Sequence, residues 1–216
     1  MDKRDRLDII FEDKHILVVN KPAGLLTIGT ENERDNTLYH KVYTYLKKKN
    51  QRVFIVHRLD VDTSGLVIFA KSENVKTILQ NNWDNVYREY ISLVHGNTNY
   101  EGIIKSYLKE TKSLYIYSTN DKKNVKYAET HFKKLKSNND YSLLKIDIKT
   151  GRKNQIRVHM KDNNTPIVGD RKYGIKDGFR NMLLLANKLV FIHPITKEKI
   201  DIELEIPELF LKVFEK

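Results

Sequence analysis

The sequence predicts an α+β domain, a largely antiparallel mixed sheet flanked by helices and loops. Three observations carry that prediction. Short apolar runs with strand character outnumber segments of helical period. Many neighbouring runs are joined by short polar turns. No Pro/Gly/Ser linker, internal repeat or low-complexity stretch divides the 216 residues, so a single domain spanning 1–216 is expected. A chain of this length can bury a sizeable core.

The elements follow in order. Ile9–Phe11 and Ile16–Val19 flank Glu12-Asp13-Lys14 and read as two strands joined by a polar turn. Asn20-Lys21-Pro22-Ala23-Gly24 breaks the pattern as a loop. From Thr37 to Lys48 the residues Leu38, Val42, Tyr45 and Leu46 recur at helical spacing, with Asn36 or Thr37 as the cap. Val53–Val56 and Leu66–Ala70 are strands on either side of the polar loop His57–Gly65. Ser72 caps a short helix running to Asn81.

Val86–Val94 alternates apolar and polar residues, as a half-buried strand does. Strands are expected at Ile103–Leu108, Leu114–Ser118, Ala128–Leu135 and Tyr141–Ile148, a helix at Arg152–Lys161, and strands at Lys188–Ile192 and Lys199–Ile206. Pro207 suits the first turn of a final helix, Glu208–Phe214. The polar, basic stretch Lys109–Lys126 reads as a hairpin or insertion.

Composition narrows the function. Lys+Arg total 39 against 28 Asp+Glu, a net charge of +11 with a pI near 9.5. That surplus favours a polyanionic partner, nucleic acid or an anionic membrane surface. Cysteine is absent, which excludes disulfides, thiolate chemistry and Cys-based zinc sites. Met1–Asp8 is highly charged with no apolar core, unlike a signal peptide, and no apolar run approaches the roughly 18 residues of a membrane span. A soluble cytoplasmic protein is expected, and a monomer, since no coiled-coil pattern or long exposed apolar run is evident.

The densest polar segment is His57-Arg58-Leu59-Asp60-Val61-Asp62-Thr63-Ser64-Gly65. A loop between two buried strands presents polar groups at a sheet end on a rigid base. Asp62-Thr63-Ser64-Gly65 supplies turn chemistry, leaving His57, Arg58 and Asp60 without a turn role. Taken alone, Arg58 and Asp60 read first as a structural ion pair around a turn. A kinase catalytic loop would need Asp directly after His-Arg, where Leu59 stands. A metal site would need more clustered ligands.

His57-Arg58-Leu59-Asp60 followed by Thr63-Ser64-Gly65-Leu66 resembles the signature of the RluA-type pseudouridine synthases. Five further segments match in family order: Asn20–Leu25, Tyr87–Gly96 (Arg88 where Lys is usual), Gly151–His159, Val168–Gly174 and Phe191–Pro194. Together they run from about Asp8 to Pro207.

The resemblance implies a pseudouridine-synthase-like fold and an isomerase that detaches uracil from its ribose, turns it and rejoins it through C5, with no cofactor and no metal. It implies Asp60 as nucleophile, Tyr90 as the residue stacking on a flipped uracil, and Arg157 as the cation paired with Asp60. Arg58 is expected at the RNA, with Arg152, Lys153 and Gln155 at the start of the last helical motif. His57 is expected to be structural, and Gly24, Gly65 and Gly151 to be backbone permissions.

Two departures weaken transfer of any one relative's substrate: Asn154 and Leu185 stand where many relatives have His. An S4 RNA-binding domain is not expected, because few residues precede the first motif. RNA would then be gripped by the catalytic domain itself. Lys47-Lys48-Lys49 with Arg52, Lys122-Lys123 with Lys126, Lys133-Lys134 with Lys136, and Arg171-Lys172 are the candidate basic surface. Loops of ribosomal or transfer RNA stem-loops are the expected targets, since unstacked bases are easier to extrude. Two rivals share parts of this pattern: an RNA-binding module without chemistry, and a glycosidic hydrolase using Asp60 with Asp62 as its second acid.

Overall fold

The computed structural model describes residues 7–29, 33 and 35–215; most of the charged N-terminal stretch, residues 1–6, lies outside them. The strands are β1 (Asp8–Glu12), β2 (Ile16–Lys21), β3 (Phe54–Ile55), β4 (Ser64–Ala70), β5 (Tyr87–His95), β6 (Glu101–Glu110), β7 (Ile116–Thr119), β8 (Lys126–Ser137), β9 (Tyr141–Ile148), β10 (Leu184–Ile192) and β11 (Lys199–Glu203). The helices are α1 (Leu38–Lys47), α2 (Glu73–Asn81), α3 (Gln155–Asp162) and α4 (Glu208–Leu211). The chain forms two compact units, one of residues up to Tyr87 with Lys188–Leu204, the other of Arg88–Asn187 with residues from Glu205 onward.

In the first unit, Asp13 makes the β1–β2 turn by accepting from the amides of His15 and Ile16, each at 2.7 Å. β2 pairs antiparallel with both β1 and β4. The unbroken apolar runs of β2 and β4 are covered on both faces. Ile16, Val18, Leu66 and Ile68 pack with Val75 and Leu79 of α2, while Leu17, Val19, Val67 and Phe69 pack with Leu38, Val42 and Leu46 of α1. Each helix starts at the expected cap: Thr37 accepts from His40, Ser72 from Val75.

The second unit is built on the antiparallel order β5-β9-β8-β6-β7. Helix α3 buries every residue from Gln155 to Met160. Ile156 and Met160 join Phe132, Leu144, Ile146 and Ile148, and Val158 joins Leu108, Ile116, Ala128 and Tyr173. The expected stretch Lys109–Lys126 is the end of β6, the short β7 folded back on it, and the turn into β8.

Three expectations are corrected. β5 is buried on both faces: Arg88, Glu89 and Ser92 of the alternating pattern are all buried, with Ser92 Oγ donating to Leu183 O and Asn187 Nδ2 to Glu89. The helix expected from Arg152 begins at Gln155, because the Gln155 side-chain oxygen Oε1 accepts from Arg152 N at 3.0 Å and from Thr150 Oγ1 at 2.7 Å, holding those residues outside the first turn. β10 begins at Leu184, earlier than expected, because Leu184–Ala186 are all buried and show no alternation.

Candidate active site

The loop carrying Asp60 is set by strand register. β2 and β4 pair antiparallel with Lys21 opposite Gly65, so the segment leaving β2 lies beside the segment entering β4. That juxtaposition becomes a clasp. The Thr27 hydroxyl donates to Leu59 C=O at 2.8 Å and accepts from Leu59 N–H at 3.2 Å, occupying both main-chain groups of the residue before Asp60. Val61 C=O, one residue after Asp60, accepts from Gly24 N–H at 2.8 Å and from Lys21 Nζ at 3.0 Å. Gly24 reaches it at φ +82°, in the left-handed region that favours glycine. Thr63 N–H donates to Asp60 C=O at 3.2 Å.

Lys21 is fully buried, and its ammonium also donates to Leu25 C=O (2.8 Å) and Pro22 C=O (3.0 Å). Burial pushes it down to about 8, against the opposing pull of the Asp62 and Asp60 carboxylates. The loop thus carries a half-buried Asp60 and an exposed Arg58 on a fixed backbone. His57 is structural, as expected: its Nε2 accepts from Ile68 N–H at 3.1 Å, and its ring stacks on Trp83 with centroids 4.3 Å apart.

In the second unit, Tyr90 sits on β5 opposite Ile146, partly buried against the cluster that includes Ile156 of α3. Arg157 is buried on α3 and grips Asp170 through two parallel hydrogen bonds, Nε to Oδ2 at 2.8 Å and Nη2 to Oδ1 at 2.7 Å. Its guanidinium lies 5.1 Å from the centre of the Tyr173 ring. Burial works against the Asp170 carboxylate, but Arg157 and the amides of Tyr173 and Lys172 outweigh it and hold the carboxyl below the usual range. Asn154, at φ +55° just before α3, accepts from Arg157 Nη1 at 3.3 Å and donates to the Tyr173 hydroxyl at 3.2 Å. Asn tolerates that left-handed backbone, which accounts locally for one of the two departures.

The remaining sites divide. Arg152 and Lys153 are exposed; Arg152 Nε donates to Tyr127 C=O, and Lys153 pairs with Glu110. Gln155, expected at the RNA, is buried, and its amide nitrogen is spent on Glu129 C=O and Thr130 Oγ1. With its oxygen already holding Thr150 and Arg152 N, it has no surface to offer, and we remove it from the RNA-contacting set. Gly151 is a spatial permission: a Cβ there would come within 2.8 Å of Arg88 Nη1.

Lys21, Thr27, Asp170 and Tyr173 were not singled out by sequence reading, although Lys21, Asp170 and Tyr173 lie inside matched motifs. Thr27 left no signal at all. Among the described residues, no group of three or more His, Asp or Glu is placed to hold a metal ion.

A conserved-family model, RNA pseudouridylate synthase, matches residues 15–162. An uncharacterized RNA pseudouridine synthase, YlyB of Bacillus subtilis, is 36% identical over 97% of this chain and 72% of its own length. The ribosomal large subunit pseudouridine synthase D of Zymomonas mobilis is 31% identical over 94% of this chain and 70% of its own, and the tRNA pseudouridine synthase C of Haemophilus ducreyi is 31% identical over 96% and 94%. The solved structure of human RNA Pseudouridylate Synthase Domain Containing 4 matches the fold with TM-score 0.78, covering 94% of this chain and 90% of its own at 21% identity. The family model and the curated relatives together define an RNA-modifying isomerase. The chain belongs to the RNA pseudouridylate synthase family.

Proposed function

We propose that this chain isomerises specific uridines of ribosomal or transfer RNA to pseudouridine in the cytoplasm, as a monomer and with no cofactor. The whole chain serves as one catalytic domain. Asp60 is the nucleophile, Tyr90 stacks on the extruded uracil, and Arg157 supplies positive charge that favours the ionised nucleophile. The N1–C1′ bond breaks, the uracil turns, C5 bonds to C1′, and the C5 proton is lost as N1 regains one, so no atom is gained or lost. Arg58, Arg152 and Lys153 contact the RNA. One observation carries the reading: the family match over residues 15–162 takes in Asp60, Tyr90 and Arg157 together. The relatives named for ribosomal and transfer RNA supply the substrate class. The clasped backbone around Asp60 suits a nucleophile that must meet its target in one geometry.

The test is a pseudouridine map of total RNA from cells with and without the gene. Sites that vanish on deletion should return with the intact gene and stay absent with Asp60→Asn. In purified form Asp60→Asn should lose at least about 10⁴-fold in turnover while binding RNA as before. Wild-type turnover by that variant removes Asp60 as nucleophile. RNA binding with no uridine converted by the intact protein favours a non-catalytic RNA-binding module.

A further inference from the structure

We propose that the arm formed by β6, β7 and β8 carries a second RNA-contacting surface, which takes an unpaired strand of the substrate on tyrosine rings and lysines. The inference rests on RNA being the substrate.

The two faces of this arm differ. One carries Leu108, Ile116, Ala128 and Phe132, packed in the clusters that hold α3. On the other, strand alternation places Tyr107, Tyr117 and Tyr127, each left 36–39% exposed. Register sets them side by side: Tyr107 opposes Tyr127 on β8 and Thr119 on β7, and Tyr117 opposes Lys109. The Tyr107 and Tyr127 ring centroids are 5.9 Å apart at 64°, so the two rings do not stack on each other. Beside them opens a depression of about 430 Å³ lined in part by Lys105, Ser106, Ser118 and Thr119.

The charge is one-sided. Residues 101–137 hold nine lysines against four carboxylates. Two of those carboxylates are paired within the arm, Glu129 with Lys105 while also accepting from the Tyr127 hydroxyl, and Asp121 with Lys109. Lys122, Lys123 and Lys126 remain at the surface along the turn into β8. On the same face of β5 and β9 the cations are spent on carboxylates: Lys145 pairs with Glu89, and Lys149, just past β9, with Asp147.

Exposed aromatic rings among surplus cations are the chemistry of single-strand recognition. Bases stack on the rings without regard to sequence, and lysines neutralise the phosphates between them. A duplex offers no open base faces to such a surface.

The experiment measures anisotropy of fluorescein-labelled oligouridylate with the full-length protein. Tyr107→Ala/Tyr127→Ala should weaken binding about tenfold or more. Lys122→Ala/Lys123→Ala should weaken it less and flatten its salt dependence. Tyr107→Trp should keep its affinity, and the indole introduced at position 107 should be quenched as oligouridylate saturates. A fully paired RNA hairpin should bind the tyrosine double variant and the wild type alike.

Wild-type affinity of the tyrosine double variant, or an unquenched indole, overturns the proposal, as does a tyrosine-dependent binding seen only with phosphatidylserine vesicles. Uridine conversion is scored separately in the wild type. Conversion with unchanged oligonucleotide binding in the variants defeats the surface alone, and tyrosine-dependent binding with no conversion defeats the catalytic reading alone.

Discussion

Asp60 and Arg157 are held by opposite means. Around Asp60 the clasp takes hold of main chain: a threonine hydroxyl, a glycine amide and a lysine ammonium grip the carbonyls and amide of Leu59 and Val61, from a segment more than 30 residues upstream. Around Arg157 the grip is on the side chain itself, a two-pronged ion pair to a carboxylate 13 residues downstream. A main-chain clasp fixes where the loop sits and so positions the Asp60 carboxylate. A buried ion pair fixes a guanidinium but ties the fold's stability to both partners. Damage to the clasp should therefore show in rate as well as in stability, and damage to the ion pair mainly in stability.

The largest effect expected from that difference is at Asp170. Asp170→Asn breaks a buried pair by removing one partner, and should cost about 3–5 kcal/mol in denaturant unfolding. A loss below about 1 kcal/mol would place the anchoring of Arg157 elsewhere.

Next comes a pH effect on the same helix. His159 is buried between Thr130 (2.8 Å from Nδ1) and Ser106 (2.9 Å from Nε2), and burial pushes it down from 6.5 to about 4. Between those values the unfolded chain takes up a proton that the folded protein refuses. Stability should fall as pH drops from 6.5 towards 4, by roughly 3 kcal/mol in all. His159→Gln should flatten that limb in thermal melts; an unchanged limb would assign it to other groups.

Thr27→Val sharpens the clasp side. Stripping the hydroxyl from both Leu59 groups should cost about 1–3 kcal/mol. It should also lower kcat by about tenfold to a hundredfold, with KM for RNA unchanged. Thr27→Ser should restore most of the rate. Equal losses in both variants would mean the methyl group matters more than the hydroxyl.

The smallest effect belongs to Lys21. Above pH about 8 its amine loses a proton, so two N–H groups must serve three carbonyls and the charge facing Asp62 and Asp60 is gone. Turnover should decline a few-fold along an alkaline limb near that value. A flat profile up to pH 9.5 would show the uncharged amine suffices to hold the clasp.

Much of this was legible in the sequence. Continuous apolar runs at Ile16–Val19 and Leu66–Ala70 gave strands buried on both faces, because no polar residue interrupts either face. Thr37 and Ser72 gave helix starts, because a hydroxyl beside a helical period satisfies an otherwise orphan amide. Ordered motifs singled out Asp60, Tyr90 and Arg157 as candidates, since each lies in a short string of specific neighbours. What the sequence by itself determined was therefore local: which segments are strands, which residue types gather in the polar loop, and which family the string of motifs resembles.

Tertiary structure alone decided the partners. Thr27 reaches Leu59 across 32 residues only because β2 and β4 pair in the register that sets Lys21 against Gly65. A shift of one residue would turn every side chain of the strand to its other face. Gln155 left the RNA-contacting set for the same kind of reason: its neighbours in sequence are basic and exposed, but its neighbours in space are Thr130, Thr150 and Glu129 C=O, which consume its amide. Hydrogen-bond partners are settled by which atoms packing brings within 3 Å, and residue order does not encode that distance.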